Sequence, residues 1–371
     1  MNPGQLMQRT IALALCALSC GLATAKHPTF AGTTEQAATS SCPKPAITTS
    51  SNGITPVSTS NYAKAETMGI LKDYIHKIAA HSCNDGVGVF MHKKDAMDPD
   101  DRTILRANFD TLYSFAVVDL STPATVVLPE AGRYQILEVV SDEHWIPLVT
   151  NKPGSYQLSK ENVGSRYAFL IIRTQVNMQD SEDMKAAGAA QEMVHLKQKA
   201  KGQFVDDQQF DKNEILTLRA EYNKRREPEG ITSEMIFGKK GEISSDMRNF
   251  GVAIGWGGLP KQGAVYPMPK TVSSTDAQTL TLDNVPMEAG SFWSVTVYDN
   301  KGFAVGEHYN VNSAFATKNE DGKYIINLGG PDAQDNFLNI YPGWNATIRI
   351  YSPTEDYFNG NWPIPQFRPK N

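Results

Sequence analysis

From Phe115 onward, apolar side chains recur at every second residue in short runs, and this spacing constrains the fold more than any other feature. The runs end at Pro, Gly, Asn and Asp, the residues that form turns between strands. They are FAVVDL, TVVL, RYQILEVV and RYAFLIIR in the first half of the chain, and QTLTLD, SFWSVTVY, KYIINL and ATIRIY after residue 277. Such alternation is typical of half-buried antiparallel strands. The sequence therefore predicts an α+β, β-rich fold with two antiparallel, sandwich-like sheet domains.

Part of the first sheet region is similar to part of the second. ATVVLPEAGRYQILEVVSD at 124–142 and TLTLDNVPMEAGSFWSVTVYDN at 279–300 share the triplet Glu-Ala-Gly at the same place. With the triplets superposed and no gap, three strand positions coincide: Tyr134, Leu137 and Val139 fall on Phe292, Val295 and Val297. Two interpretations stay open, a recurring turn-plus-strand unit and chance similarity between two alternating strands.

Helical spacing occurs at three places. Residues 61–80 carry apolar side chains three and four positions apart, and further helices are predicted at 180–201 and 212–226. The second segment has acidic residues at its start and Lys197, Lys199 and Lys201 at its end, as the helix dipole favours. We therefore predict a first β-rich domain with a leading helix over 61–179, a helical insert with a glycine-rich joint over 180–262, and a β-sandwich-like domain over 263–371.

The first residues have the pattern of a secretory signal peptide. Arg9 precedes an apolar run at 11–25 that is too short to span a bilayer and ends in Ala23-Thr24-Ala25, a small-x-small cleavage pattern. We predict a signal peptide at 1–25, export to the periplasm or the extracellular space, and a flexible Thr- and Ser-rich tether at 26–60. A lipid anchor on Cys20 is the alternative, although Ala17 stands where Leu is usual.

Two cysteines, Cys42 and Cys83, remain after the predicted cleavage. Exported proteins usually oxidise such a pair, so we predict a disulfide that ties the tether to the first domain. By the loop-entropy estimate, closing this loop stabilises the fold by about 3 to 4 kcal/mol. Two buried free thiols are the alternative.

The formal net charge of -5, without a long run of one sign, bears on the partners of the protein. Nucleic-acid binding depends on a basic surface that displaces counterions, and no such stripe is present in the sequence. No later segment approaches the length of a membrane span. We expect neither a nucleic-acid partner nor a membrane span, and the sequence leaves homo-oligomerisation open.

Several longer stretches carry a resemblance to a known family. RANFDTLYSFAVVDL at 106–120 and GSRYAFLIIR at 164–173 resemble domain of unknown function 1254. GWGGLP at 255–260, FWSVTVYDNKGF at 292–303 and PGWNATIRIYSPTEDYFNGNWPIP at 342–365 resemble its usual partner, domain of unknown function 1214. The resemblance implies two β-rich domains and an envelope or secreted setting, and it implies no reaction.

Motifs of familiar enzyme classes are missing from the sequence. It contains no G-x-S-x-G elbow, phosphate loop, H-E-x-x-H or dinucleotide fingerprint. A metal at His144 would need partners such as His92 or His308, and nothing in their spacing requires one. We predict no metal and no cofactor.

The first candidate site is the strand end Asp142-Glu143-His144-Trp145, because loops at sheet ends often carry function. Its carboxylates and imidazole suit acid–base chemistry, with Trp145 as an apolar platform. A solvated turn is the alternative.

A second candidate set, Arg106, Asn108, Asp110 and Tyr113, stands immediately before a strand. In the functional interpretation, Arg106 and Tyr113 orient an anionic or hydroxylated ligand and Asp110 accepts a hydrogen bond. In the structural interpretation, an Arg106–Asp110 ion pair holds the loop.

The third set comes from the C-terminal strands. Alternation puts Thr296 and Tyr298 on the face opposite Val295 and Val297, and it puts Arg349 and Tyr351 opposite Ile348 and Ile350. If these strands are neighbours, Thr296, Tyr298, Arg349 and Tyr351 form a polar-aromatic surface for a sugar-like or acidic ligand. A half-solvated sheet face is the alternative.

The fourth set is GVAIGWGGLPKQGAVY at 251–266, where the insert meets the second sheet domain. Its glycines allow close backbone approach, and Trp256 is expected to wedge between the domains. A ligand-binding loop is the other interpretation, and the two are compatible because clefts between domains often bind ligands.

Three functions follow from these sets. The leading hypothesis is an exported envelope protein that binds a small polar or sugar-like ligand between two β-rich domains. The alternatives are an exported hydrolase or lyase using carboxylate and Tyr or His chemistry, and a structural or assembly protein without a small-molecule site. The candidate catalytic residues are Asp110, Tyr113, Asp142 and His144, and the candidate ligand contacts are Arg106, Trp145, Trp256, Tyr298, Arg349 and Tyr351.

Overall fold

A computed structural model describes residues 42–50, 53–102, 104–270 and 272–370. The predicted signal peptide, the alternative anchor at Cys20 and residues 26–41 of the predicted tether lie outside the described residues. Across the part of the chain that is described, no helix is long and apolar enough to cross a membrane.

The described residues contain seven helices. They are α1 Tyr62–Ser82, α2 Lys160–Val163, α3 Ser181–Glu192, α4 Lys212–Arg225, α5 Ser233–Ile236, α6 Ser245–Gly255 and α7 Glu355–Phe358. Local capping places several of these boundaries: the Asp180 and Asp211 carboxylates accept backbone N–H groups at the starts of α3 and α4.

The strands are short and are spread over the whole described chain. In the first half they are β1 Ile47–Thr49, β2 Ile54–Thr55, β3 Met91–Lys93, β4 Thr111–Asp119, β5 Ala124–Leu128, β6 Gln135–Ser141, β7 Leu148–Thr150, β8 Gly154–Leu158 and β9 Tyr167–Gln175. The remainder are β10 His195–Gln198, β11 Phe204–Asp206, β12 Gln209–Phe210, β13 Ala264–Val265, β14 Gln278–Leu282, β15 Trp293–Tyr298, β16 Asn310–Asn312, β17 Tyr324–Leu328, β18 Phe337–Leu338, β19 Asn345–Tyr351 and β20 Arg368–Pro369.

The N-terminal region is built on a five-stranded antiparallel sheet with the order β3-β4-β9-β6-β7. Successive side chains of β9 point to opposite faces. Leu170 and Ile172 pack toward a smaller sheet with the order β10-β5-β8, whereas Phe169 and Ile171 belong to a core shared with α1 and α6. Both faces of the large sheet are therefore covered.

The C-terminal region is a sandwich of two four-stranded sheets. Their orders are β13-β19-β15-β16 and β18-β17-β14-β20. Trp293, Val295 and Val297 point into the core between the sheets, together with Ile348 and Ile350. The predicted alternation of these strands is confirmed, and so is the β-rich fold class with several antiparallel sheets and few helices.

One predicted helix is too long. The segment 180–201 is helical only over Ser181–Glu192, and residues from His195 form the edge strand β10 on β5. Val194 is buried in the core between the two N-terminal sheets, and the residues after it alternate between exposed and half-buried positions. The free edge of β5 supplies backbone partners that a longer helix would lack, so tertiary pairing overrides the helical pattern.

The described part of the predicted tether also differs from the prediction. Residues 47–49 pair in parallel with β11, and residues 54–55 pair in parallel with β12. The Val57 amide donates to Glu214 at 2.5 Å. Few apolar side chains are present there to be buried. Backbone hydrogen bonds and the disulfide to Cys83 stabilise this segment instead.

The disulfide between Cys42 and Cys83 is confirmed, with a Cα–Cα distance of 4.9 Å. It joins the described N-terminal residues to the C-cap of α1. The paired strands that follow Cys42 therefore start from a fixed point on the first domain.

Replacement of Cys83 by Ser should lower the free energy of unfolding by about 3 to 4 kcal/mol, because the open chain gains loop entropy. Urea denaturation without reductant measures this. The Cys42→Ser variant is the matched control and should lose the same amount, and the double variant should lose no more than either single variant. A double variant that loses the sum of both effects would show that the thiols act separately.

Candidate functional site

The two regions meet through a buried carboxylate. Asp110, directly before β4, is fully buried and accepts hydrogen bonds from Ser294 Oγ at 2.6 Å, Asn310 Nδ2 at 2.8 Å and Tyr351 OH at 3.1 Å. All three donors come from the C-terminal sheet, on the face opposite its core. A buried charge needs such donors, so this carboxylate joins the two regions.

Arg349 extends the same polar contact. Its guanidinium donates to Thr296 Oγ1 at 2.9 Å, to Tyr298 OH at 2.6 Å and to the Arg106 carbonyl at 3.1 Å. Burial opposes the charge of Arg349, but nearby Tyr298 and Asp110 hold its pKa above the ordinary value. The structure thus brings the predicted second and third sets together, and this sheet face is buried between the domains rather than half-solvated.

The Arg106–Asp110 ion pair expected in the structural interpretation is not formed. Arg106 donates from Nη1 to Thr347 Oγ1 at 2.9 Å and lies over the Tyr298 ring at 5.5 Å. Its own amide donates to the Gly302 carbonyl at 2.8 Å, so the residue is fixed against the second domain. Asp110 already has three donors and does not need the guanidinium.

A cleft of about 1180 Å³ opens beside this contact. One wall comes from α1 and α4, and the floor comes from the β4 and β9 residues that face them. We call its polar end the arginine end, which is formed by Arg106, Asn108, Tyr113, Arg173, Tyr266, Arg349 and Tyr351. Residues of both β-rich regions therefore contribute to one cavity, which exceeds the size of an ordinary small-ligand pocket.

Arg173 is the member of this set that the sequence analysis missed. It donates to Glu138 Oε2 at 2.6 Å and to the Gly257 carbonyl at 2.6 Å, and it lies over the Tyr113 ring at 5.4 Å. Burial opposes its charge, but the Glu138 carboxylate outweighs this and raises the pKa of Arg173. A signal was present, because Arg173 continues the inward face of Phe169 and Ile171, where a charged side chain is unusual.

The register of the two large sheets shows that Arg173 and Arg349 are equivalent. The gapless alignment of 124–142 with 279–300 puts Ile136 on Ser294, and these residues pair with Arg173 and Arg349 respectively. The neighbouring residue pairs along β6 and β9 correspond in the same way to those along β15 and β19. The recurring unit is thus seen in three dimensions, since chance similarity of two strands does not explain matching neighbours.

Each of these arginines also has an equivalent tyrosine beside it. Tyr113 on β4 pairs with Arg173. In the second sheet Val265 pairs with Ile350, so Tyr266 directly follows at the position next to Arg349. The arginine end of the cleft therefore contains two Arg–Tyr pairs, one from each sheet, at matching positions.

The glycine-rich segment lines the cleft, but Trp256 does not wedge between the two sheet domains as expected: it packs into the core of the N-terminal region. Residues up to Gly255 end α6, and Trp256 is buried, with its indole N–H 3.0 Å from Thr67 Oγ1 and its ring 5.1 Å from Phe169. Gly257 has φ +71°, and a Cβ there would lie 2.8 Å from Ile171 Cδ1. The backbone thus approaches the first sheet closely, while Trp256 and Gly257 also line the cleft.

Asp142, His144 and Trp145 do not line the cleft. Asp142 follows β6 at the end away from Tyr113, six residues beyond the level of Arg173, which is about 20 Å along a strand, whereas the His144 side chain reaches Gly257 in the cleft wall. Asp142 is paired with Lys64 at 2.6 Å, and His144 Nε2 accepts the Gly257 amide at 3.0 Å. Trp145 lies under Arg248 at 4.5 Å. The predicted solvated turn is instead largely buried, and the four candidate catalytic residues do not form one site.

The two histidines suggested as partners for a metal at His144 have other contacts. His92 Nδ1 is 2.8 Å from Ser114 Oγ, and the His308 ring packs on Phe337. Among the described residues, no group of three His, Cys, Asp or Glu side chains is arranged to hold a metal ion.

Comparison with known families gives two matches in chain order. The model of the protein of unknown function DUF1254 matches residues 87–198, and that of DUF1214 matches residues 270–355. The fold and the cleft thus belong to a β-rich protein composed of two successive domains of unknown function. The chain is a member of this two-domain DUF1254–DUF1214 family. The GWGGLP stretch, which resembles DUF1214, lies before the matched range.

Among solved structures, the chain is similar to the VPA0106 protein from Vibrio parahaemolyticus, with a TM-score of 0.60 and 16% identity. That match covers 84% of this chain and 98% of the other, and it concerns the fold alone. An uncharacterised protein from Burkholderia cenocepacia has a TM-score of 0.39, 14% identity and coverage of 83% and 87%. A search of curated proteins finds no match.

The Ser294→Ala variant tests the contact between the two regions. It removes one donor from the buried Asp110 carboxylate, so the free energy of unfolding should fall by about 1 to 3 kcal/mol. Ser274→Ala is the matched control, because Ser274 also donates to an aspartate, Asp276, but in an exposed bond of 2.8 Å. The control should change stability by less than about 0.5 kcal/mol in the same urea titration. Equal losses in both variants would contradict the assignment.

Proposed function

We propose that this protein is an exported envelope protein that binds a small polar ligand in the cleft between its two β-rich regions. The single observation that carries the proposal is the arginine end, where polar side chains of both family domains meet in one large cavity. Ligand sites are usually concave, largely apolar and equipped with a few converging polar groups, and this cleft has that composition.

Two tyrosine hydroxyls strengthen the proposal. Tyr74 and Tyr266 line the cleft, and neither hydroxyl has a hydrogen-bond partner among the described residues. Polar groups in such surroundings are normally satisfied by water or ligand. Tyr266 stands beside Arg349 in the sheet, and the charge of Arg173 also acts on its hydroxyl. A ligand there has donors on more than one side.

The buried tyrosines of the arginine end do not favour base catalysis. Burial raises the pKa of Tyr266 and of Tyr351, so both phenols stay protonated near neutral pH and act as donors. Asp110, which accepts from Tyr351, is engaged by three donors and does not line the cleft. The arrangement therefore supports binding over the hydrolase or lyase hypothesis, and the presence of a large cleft disfavours a purely structural role.

Export is the second part of the proposal. The Cys42–Cys83 disulfide is compatible with an oxidising compartment, where such bonds form and persist. The signal-peptide pattern at 1–25 points the same way.

Thermal unfolding against a panel of sugars, organic acids and aromatic compounds tests the binding function. A ligand at about a hundred times its dissociation constant contributes roughly 2.7 kcal/mol and should raise the midpoint by several degrees. Tyr266→Phe should reduce that shift, because it removes a donor from the cleft. Tyr309→Phe is the control, since Tyr309 is buried outside the cleft. A flat response to the whole panel, or equal shifts in both variants, would count against this site.

A further inference from the structure

The arginine end has more positive than negative groups around it. Glu138 neutralises Arg173, and the buried Asp110 lies near Arg349. Arg106 is a third guanidinium at this end, and its side chain donates to Thr347 rather than to a described carboxylate. The other charged groups that act on it are Arg349 and Arg226, both cationic. Arg106 is exposed, so its positive charge is accessible to a ligand in the cleft.

The acidic residues elsewhere in the cleft wall do not supply that partner. Glu66 is paired with Arg219, and Asp206 is paired with Lys72. Asp211 caps the start of α4, where its carboxylate accepts the Asn213 amide at 2.8 Å. Asp73 also lines the cleft, on α1, where its charge acts on Lys77. All four carboxylates lie on the side of α1 and α4, so they do not compensate the arginine end.

The polar groups that the arginine end offers to a ligand are mainly hydrogen-bond donors. The groups that remain for a ligand are the guanidinium N–H groups of Arg106 and the hydroxyls of Tyr74 and Tyr266. Guanidinium groups donate only, and protonated phenols donate readily. Sugars present donors as well as acceptors and would use only part of this donor set, whereas a carboxylate, sulfate or phosphate presents acceptors alone. The chemistry favours an oxyanion.

The opposite part of the cleft, beside α1 and α4, has apolar side chains among its charged ones and reaches the surface. Ile70, Phe210 and Ile215 line it on the side of α1 and α4. Ile54 and Leu216 also line it and are 69% and 54% exposed, values that are unusual for large aliphatic side chains on neighbouring elements. A ligand with an apolar body would cover these side chains and gain by their removal from water.

We propose that the cleft takes an amphipathic organic acid, with its anionic group at the arginine end and its apolar body along α1 and α4. This rests on the proposed binding function and names its ligand class. Arg106 is the principal anion contact, and Tyr266 donates a second hydrogen bond. Leu216 and Ile54 contact the apolar body near the cleft opening.

Isothermal titration of the full chain at pH 7 with decanoate and with 1-decanol tests the charge requirement. The two compounds share the apolar body and differ in the anionic group, so decanoate should bind at least tenfold more tightly. Arg106→Gln should weaken decanoate binding by about tenfold to a hundredfold, as expected for loss of a charge-assisted contact, and should leave 1-decanol unchanged. Arg106→Lys should keep most of the affinity.

The matched control is Arg368→Gln, which makes the same charge change at an exposed position outside the cleft. It should leave both affinities unchanged. Leu216→Ser should weaken decanoate and 1-decanol alike, because it shortens the apolar wall without altering the arginine end. Leu216 is exposed, so this change should not unfold the protein.

The outcomes distinguish failure of the proposed ligand class from failure of the proposed binding function. Equal affinity for decanoate and 1-decanol, or an Arg106→Gln variant that binds decanoate as tightly as the original, would overturn the amphipathic-acid assignment. If glucose or another sugar binds while decanoate does not, and Tyr266→Phe weakens that sugar, the cleft is a binding site but the ligand class is wrong. If no compound of either kind binds, the proposed binding function itself fails.

Discussion

The arrangement of this protein depends on a carboxylate that has no access to water. Asp110 is fully buried, and its three hydrogen-bond donors, Ser294, Asn310 and Tyr351, all lie on the outer face of the second large sheet. Loss of any one donor leaves a buried charge with fewer partners, which is costly. The second domain is therefore held with its polar sheet face against the start of β4. The cleft lies beside this contact, and both domains contribute arginine and tyrosine side chains to it.

Equivalent arginines in the two large sheets have different partners. Arg173 and Arg349 occupy equivalent register positions, and each has a tyrosine on the next strand. Arg173 binds Glu138, which has Thr296 at the matching place in the second sheet, and Arg349 binds that threonine. The carboxylate charge that acts on Arg349 comes instead from the other domain, on Asp110. Each copy of the repeated unit therefore contributes one Arg–Tyr pair to the arginine end of the cleft, and the two arginines have different partners.

Much of the fold was predictable because it depends on local spacing. The period of two at Val295 and Val297 identified the core face of β15, and the pairing of Cys42 with Cys83 followed from the cysteine count together with the predicted export. The helix over 180–201 was predicted too long, since the pairing of β10 with β5 is a contact between distant residues. At the site, the polar face containing Thr296, Tyr298, Arg349 and Tyr351 was predicted as a set, whereas its burial against Asp110 was not. Arg173 was missed, and the strand-end residues Asp142 and His144 proved to have their own buried partners.

The sequence by itself determined which residues face the cores and where the strands and most helices form. These properties depend on side-chain periodicity and turn residues, which act over a few positions along the chain. Only the tertiary structure decided that Arg106, Arg173 and Arg349 line one cleft, that Asp110 belongs to the domain contact and that Asp142 lies about 20 Å away along the sheet. Those relations depend on how two sheets pack against each other, and the energy of that packing comes from pairs of residues more than a hundred positions apart.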